Sequence, residues 1–552
     1  MLFRRLFYFL FSLLFLHLSL AAQTEVPASL TISEEYKIPK NTYFKRVISA
    51  DQGYVHILRG SYSMSKRLTS VIVESYDIET LKLKRATDIP LKYQKRLRIF
   101  HDIFEVNDKF YLITSYFNSA KNKNFLFAQK LNNRFEPDED LILIGEIDSR
   151  SESKIGDFQF DYSRDSSKVI VYHDIPTKRS DQEEFKFSIY NDNFDLLWDK
   201  EITFPFESKL YSLIKFAVDN DGNGYLLGKH YFDKIRNKVK GLPNYEYILE
   251  VYSNSGENKE RYQLMDKQKF ISDLTFEVNR GNEIICTGFY TNRLNASRQN
   301  VRDNNRESIE GIVYFKIDNN AQKIEEKKFS AFDLDFITLN QSERQRRRSE
   351  RRQNDDIEDN DPALYSYYFR DIILRSDGGV VIIAEQYFET VYNSNFNNGF
   401  DVGFNTFNNG IYREVIEYNY NDIIVVNVNP DGSIRWANAV PKYQSTLQPE
   451  VTRYYSFSNA NIRDKIYMLF NEDGNVFESQ AGFSLNGRAL KNKALALAEL
   501  DKTGELSIYK LGDFETMQTL ILPTETRQIA KNELLIYGES KNYFRIGTVL
   551  LQ

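Results

Sequence analysis

The sequence predicts an all-β chain built from eight copies of a four-stranded antiparallel unit closed into a ring. Three observations predict it: strand-favouring aromatics in abundance, an apolar segment recurring at nearly constant spacing, and an N-terminal stretch that supplies a strand missing from the last unit. The 552 residues include 36 Tyr and 41 Phe, and flat rings pack well on a pleated, half-buried surface. Length alone would suggest about three to five domains of roughly 100–200 residues each. An internal repeat overrides that division in favour of one closed domain over residues 23–552.

Each unit reads as apolar strand, tight polar turn, apolar strand, variable connection, third apolar strand, turn and a more polar fourth strand. In the clearest copy, Ile214-Lys-Phe-Ala-Val218 leads through a Gly- and Asn-rich turn to Tyr225-Leu-Leu-Gly228, followed by Tyr247-Ile-Leu-Glu-Val-Tyr252 and a turn at Asn254-Ser-Gly256. Gly and Asn tolerate positive φ, so such turns between apolar runs signal hairpins. Second strands are marked by Tyr54, Phe110, Val169, Tyr225, Ile284, Val380, Ile466 and Leu534, the first five of them 56 to 59 residues apart. The wider later gaps coincide with polar insertions. Third strands recur at residues 70–73, 124–127, 185–189, 311–315, 422–426 and 493–497.

The last unit supplies only three strands before the sequence stops at Gln552. Leu30-Thr-Ile-Ser-Glu-Glu-Tyr-Lys-Ile-Pro39 is built like the fourth strand Lys82-Leu-Lys-Arg-Ala-Thr-Asp-Ile-Pro90, so the N-terminal strand is expected to complete the C-terminal unit. Closure of this kind removes exposed sheet edges. A count of seven follows if the terminal pieces pair differently.

Val218-Asp-Asn-Asp-Gly-Asn-Gly-Tyr-Leu-Leu-Gly228 resembles β-propeller repeats of the Asp-x-x-Gly-Asn type, in which the turn is followed by a Tyr-containing strand ending in Gly. Ile373-Leu-Arg-Ser-Asp-Gly-Gly-Val-Val-Ile-Ile-Ala384 is similar but lacks the Asn and Tyr. The resemblance covers a few copies and implies a propeller of four-stranded blades without a named family. Kelch and WD40 signatures are absent; Trp198 and Trp436, the only two Trp, each sit near the end of a fourth strand.

Arg4 and Arg5, an apolar run from Leu6 to Leu20 and Ala21-Ala22-Gln23 have the three parts of a secretory signal. Residues 1–22 are therefore expected to be removed, leaving no transmembrane segment and a periplasmic, outer-envelope-associated or extracellular protein. The single cysteine, Cys286, excludes an intramolecular disulfide. It sits in an apolar run and reads as a small buried hydrophobe. With 72 basic against 78 acidic residues, a net charge of −6 and a pI near 5.7, the chain lacks the broad positive field that nucleic-acid binding requires.

With first strands innermost, the connections from strand two to three and from strand four to the next blade share one face. That face takes the insertions at about 293–306, 340–361 and 393–420. Functional residues concentrate on loops carried by a rigid scaffold, which makes this long-loop face the expected binding face. The 340–361 insertion sets a block of Arg against a block of Asp and Glu, and 393–410 carries Phe396, Phe400, Phe404 and Phe407. Aromatics at the ends of second strands, Tyr62, Tyr116, Tyr231, Tyr290, Tyr387 and Phe388, would emerge there, either as inter-blade packing or as a stacking platform for a peptide or glycan. His56, His101, His173 and His230 show no metal-ligand spacing, and no cofactor motif or catalytic constellation is found. The expected function is a non-catalytic binding or scaffold module holding a protein or glycan. The alternative is a glycan-cleaving propeller using Glu385 and Glu389.

Overall fold

A computed structural model describes residues 26–51, 53–63, 67–175, 182–279, 281, 283–292, 308–320, 322–339, 363–395, 412–473, 485–486 and 493–552. The proposed signal, the Arg-rich insertion at 340–361, the whole insertion at 293–306 and the four Phe of 393–410 lie outside the described residues.

The chain is an eight-bladed β-propeller. Blades 1 to 7 span 42–90, 99–148, 159–207, 211–264, 270–331, 367–440 and 458–513, each built on four antiparallel strands in sequence order. Blade 8 takes Arg527–Ala530, Glu533–Ser540 and Tyr543–Leu551 from the C-terminus, and Ala28–Ile32 from the N-terminus as its fourth strand. The register runs from Ala28 opposite Leu551 to Ile32 opposite Gly547, and Tyr36–Lys37 continues the pairing to Phe544 and Tyr543.

The core is divided among the blade interfaces. Eight apolar clusters are found among the described residues, one between each pair of consecutive blades, including Val47, Val55 and Ile57 against Leu535, Tyr537 and Ile546 where blade 1 meets blade 8. Blades covered on both faces need strands apolar on both sides. The second strands accordingly read as unbroken runs such as Val380-Val-Ile-Ile-Ala384, all of them buried. The two Trp close neighbouring blades. Trp198 Nε1 donates to the Gly222 carbonyl at 2.9 Å and Trp436 Nε1 to that of Lys502 at 3.1 Å. Each ring lies so close to a positive-φ glycine of the next blade, Gly256 or Gly504, that a Cβ there would fall 2.7 Å from it.

One expectation is corrected. The described residues of the segment expected as a loop from 393 to 420, namely 393–395 and 412–420, are strand: Val380–Asn395 and Tyr412–Val428 pair all the way to Asn395 opposite Tyr412. The Asn-rich composition suggested a loop, but Tyr, Val and Ile recur through 412–420 and favour extension. Other second strands run 7 to 10 residues against 16 here, so the ribbon projects about 25 Å beyond its blade at roughly 3.3 Å per residue.

Candidate binding face

The two ends of the ring differ in kind. Connections between strands one and two are tight turns, such as Asn107-Asp108 and residues 219–223, where the Asp219 carboxylate accepts the Asp221 and Asn223 amides at 3.0 and 2.8 Å. At the opposite end lie the 380–428 ribbon, the linkers between blades and two small hairpins, Lys92–Tyr93 with Arg96–Leu97 and Lys238–Val239 with Leu242–Pro243.

The sequence-selected aromatics are spread over blades 1, 2, 4, 5 and 6, each on a local partner. Tyr62 stacks on Tyr43 at 4.7 Å and remains 38% exposed. The Tyr116 hydroxyl accepts a hydrogen bond from Arg96, whose guanidinium lies 5.0 Å from the ring centre. Tyr231 donates to Asn237 Oδ1 at 2.9 Å, which braces the base of the 238–243 hairpin. Tyr290 is buried against Phe329. Tyr387 stands between Tyr368 and Tyr420 and donates to Glu389 Oε1 at 2.9 Å, with half-buried Phe388 beside it. His173 packs edge-on to Phe158, while His230 stacks on Phe206 at 3.8 Å and meets Glu246 at 3.2 Å.

Glu385 and Glu389 stand in different surroundings. Glu385 is fully buried, paired to Lys442 at 2.8 Å and Arg370 at 2.6 Å, and accepts from the Ser456 hydroxyl at 2.7 Å. A register irregularity between Glu385 and Tyr387 interrupts the alternation that would have put both carboxylates on one side. Burial pushes the Lys442 ammonium down and Glu385 opposes that shift. In the same cluster, burial pushes the Glu472 carboxyl up to about 7.

Sequence reasoning missed the polar lining of the axis. The first strands of blades 1, 2, 4, 5 and 6 each bulge by one residue, at Lys45, His101, Ile214, Ser272 and Arg370. The next residue is charged in every case: Arg46, Asp102, Lys215, Asp273 and Asp371. A bulge re-aims the side chains around it. Pairs then form between neighbouring first strands: Arg46 with Asp102 at 2.9 Å, Lys215 with Glu277 at 2.7 Å, and Asn459 with Asp371 at 2.6 Å. Asp161, Lys215, Glu277 and Asp371, from blades 3 to 6, line a cavity of about 770 Å³ on the axis. Burial raises the Asp161 and Asp273 carboxyls. The signal was present as apolar-x-Asp-apolar, at Phe100 to Ile103, Ile271 to Leu274 and Phe369 to Ile372.

No family model matches the chain, and no curated protein matches it in sequence. Among solved structures it is similar to the Dos1 propeller, at 8% identity and a TM-score of 0.42 over 95% of each chain. It is also similar to the β-propeller domain of the Trilobed protease from Pyrococcus furiosus, at 9% identity and a TM-score of 0.33 over 87% of this chain and 97% of that one. A third similarity is to Pyrococcus horikoshii acylaminoacyl peptidase, at 9% identity and a TM-score of 0.34 over 93% of this chain and 60% of that one. The fold assignment stands on the chain's own strand pairing.

Proposed function

We propose that the protein is an exported, non-catalytic binding module that holds its partner on the long-loop face. The observation that carries this reading is the asymmetry of the ring: the paired ribbon and both exposed hairpins project from one end, while the first-to-second-strand connections at the other are tight turns. The N-terminal secretory pattern supports export to the cell envelope or beyond it. Against the glycan-cleaving alternative stands Glu385, buried and held by two cations where an acid or base must reach its substrate.

Affinity capture from the native cell envelope, with mass spectrometry of co-purifying proteins, tests the reading. The mature chain, tagged at a short turn, is expected to retain a stoichiometric partner that is lost when residues 387–420 are replaced by a tight turn. Retention of that partner by the shortened chain, or glycan cleavage that disappears in Glu385→Gln, overturns it.

A further inference from the structure

We propose that the hairpins at 91–98 and 232–244 seat the long-loop face on an anionic lipid surface, an inference that rests on the reading of that face as the binding face. The two are built alike although they join different elements, one linking blade 1 to blade 2 and the other the second and third strands of blade 4. Each is pinned at its base. The Arg98 amide donates to the Leu91 carbonyl at 3.0 Å, and the buried Arg98 guanidinium is held by Thr114 at 3.1 Å and Gln129 at 3.0 Å. The Phe232 amide donates to the Asn244 carbonyl at 3.1 Å, and Asn244 Nδ2 to the Lys234 carbonyl at 2.9 Å.

What these rigid bases present is cationic and apolar together. Leu97 is 41% exposed, Phe232 45%, Leu242 52% and Ile235 66%. Between them Lys92, Lys95, Lys234, Arg236, Lys238 and Lys240 face solvent, with Asp233 as the only acidic residue of either segment. Among the described residues none of these six cations forms an ion pair. Several lysines elsewhere are held by acids, as in Lys109 with Asp192 at 2.7 Å and Lys316 with Glu283 at 2.7 Å.

A chain of net charge −6 has thus collected unpaired cations on two projecting tips. The tight turns opposite set acids beside their cations, Asp165 beside Arg164, Asp377 near Arg375 and Asp464 beside Arg463, so an anionic surface favours the end that carries the cationic tips. Apolar side chains that project singly among lysines suit the boundary between headgroups and acyl chains, where ammonium groups stay at headgroup level as the apolar groups enter. Tips on separate blades suit an extended surface, which a lipid layer offers and a single small ligand does not.

Co-sedimentation of the mature chain with vesicles tests the proposal, comparing equal parts phosphatidylglycerol and phosphatidylcholine with phosphatidylcholine alone. Binding is expected to the anionic vesicles only, to fall with added salt, and to weaken about fivefold for each cation removed, hence about a hundredfold in Lys234→Ala/Lys238→Ala/Lys240→Ala. Ile235→Ser/Leu242→Ser is expected to weaken it as well, and Lys502→Ala on the opposite end to leave it unchanged. Equal binding to both vesicle types, no binding to either, or undiminished binding of the triple variant overturns the proposal. Capture of the envelope partner by the same triple variant separates the two readings. If the wild-type chain ignores vesicles and the variant loses the protein partner, the face reading stands and the lipid surface falls. If neither partner nor vesicle is bound by the wild-type chain, both fall.

Discussion

Replacing Arg59 with Met tests the seam that closes the ring. Arg59 is fully buried on the second strand of blade 1, where its Nε donates to Glu74 Oε2 at 2.7 Å. Its guanidinium lies 4.1 Å from the centre of the Phe544 ring in blade 8, and the Tyr76 hydroxyl donates to the same carboxylate at 3.0 Å. Met keeps the apolar stem of the side chain and leaves Glu74, itself 5% exposed, buried without its cation. Removing one partner of a buried pair costs about 3–5 kcal/mol, whereas removing both charges is often neutral. Arg59→Met should therefore lower stability by about 3–5 kcal/mol in urea unfolding followed by Trp fluorescence, with the midpoint shifting at unchanged slope. Arg59→Met/Glu74→Gln should recover most of the loss, since Gln still accepts from Tyr76 and carries no charge. A single variant that loses less than about 1 kcal/mol, as an exposed pair would, refutes the reasoning, as does a double variant no more stable than the single.

Glu472 is fully buried, and that burial pushes its carboxyl up from the ordinary 4.5 to about 7, which makes stability depend on pH. Its folded pKa lies above the unfolded one, so its contribution is full below about pH 4.5 and is lost as pH rises through about 7. Between about pH 5 and pH 8 the wild-type chain should lose roughly 3 kcal/mol relative to Glu472→Gln, measured as the difference between their urea midpoints; equal pH profiles would contradict this. Gly288→Ala places a Cβ 2.0 Å from the Asp273 backbone oxygen on the neighbouring bulged strand. Because backbone rather than a flexible side chain must move, a loss of about 1–3 kcal/mol or more is expected in the same assay. Cys286 is fully buried and its thiol is pushed up by that burial, so a maleimide should label it only after denaturation; rapid labelling of the native chain would contradict the packing.

The blade was legible because a repeat states its period several times over. The second strands between Tyr54 and Ile284 recur at 56 to 59 residues, and the Leu30 to Pro39 stretch resembles a fourth strand closely enough to place ring closure from the sequence alone. The ribbon was not legible past Tyr392. Asn and Gly mark a loop by composition, while the pairing of Asn395 with Tyr412 depends on the opposite strand. The axial Asp residues were hidden differently: Asp102, Asp273 and Asp371 look like ordinary polar positions of alternating strands, and only the bulges before them put charge on the axis. The basic hairpins leave no mark in the sequence, because exposure of Ile235 or Leu242 is a property of what does not cover them.

The most direct measurement of the binding-face assignment is site-specific photo-crosslinking in the native cell. A photoreactive residue is placed singly at Lys238, at Tyr387 and, on the opposite end, at Asn220 and Asn254. Use of the long-loop face predicts adducts from Lys238 and Tyr387 and none from Asn220 or Asn254. Adducts confined to Asn220 and Asn254 would contradict it and move the binding site to the short turns.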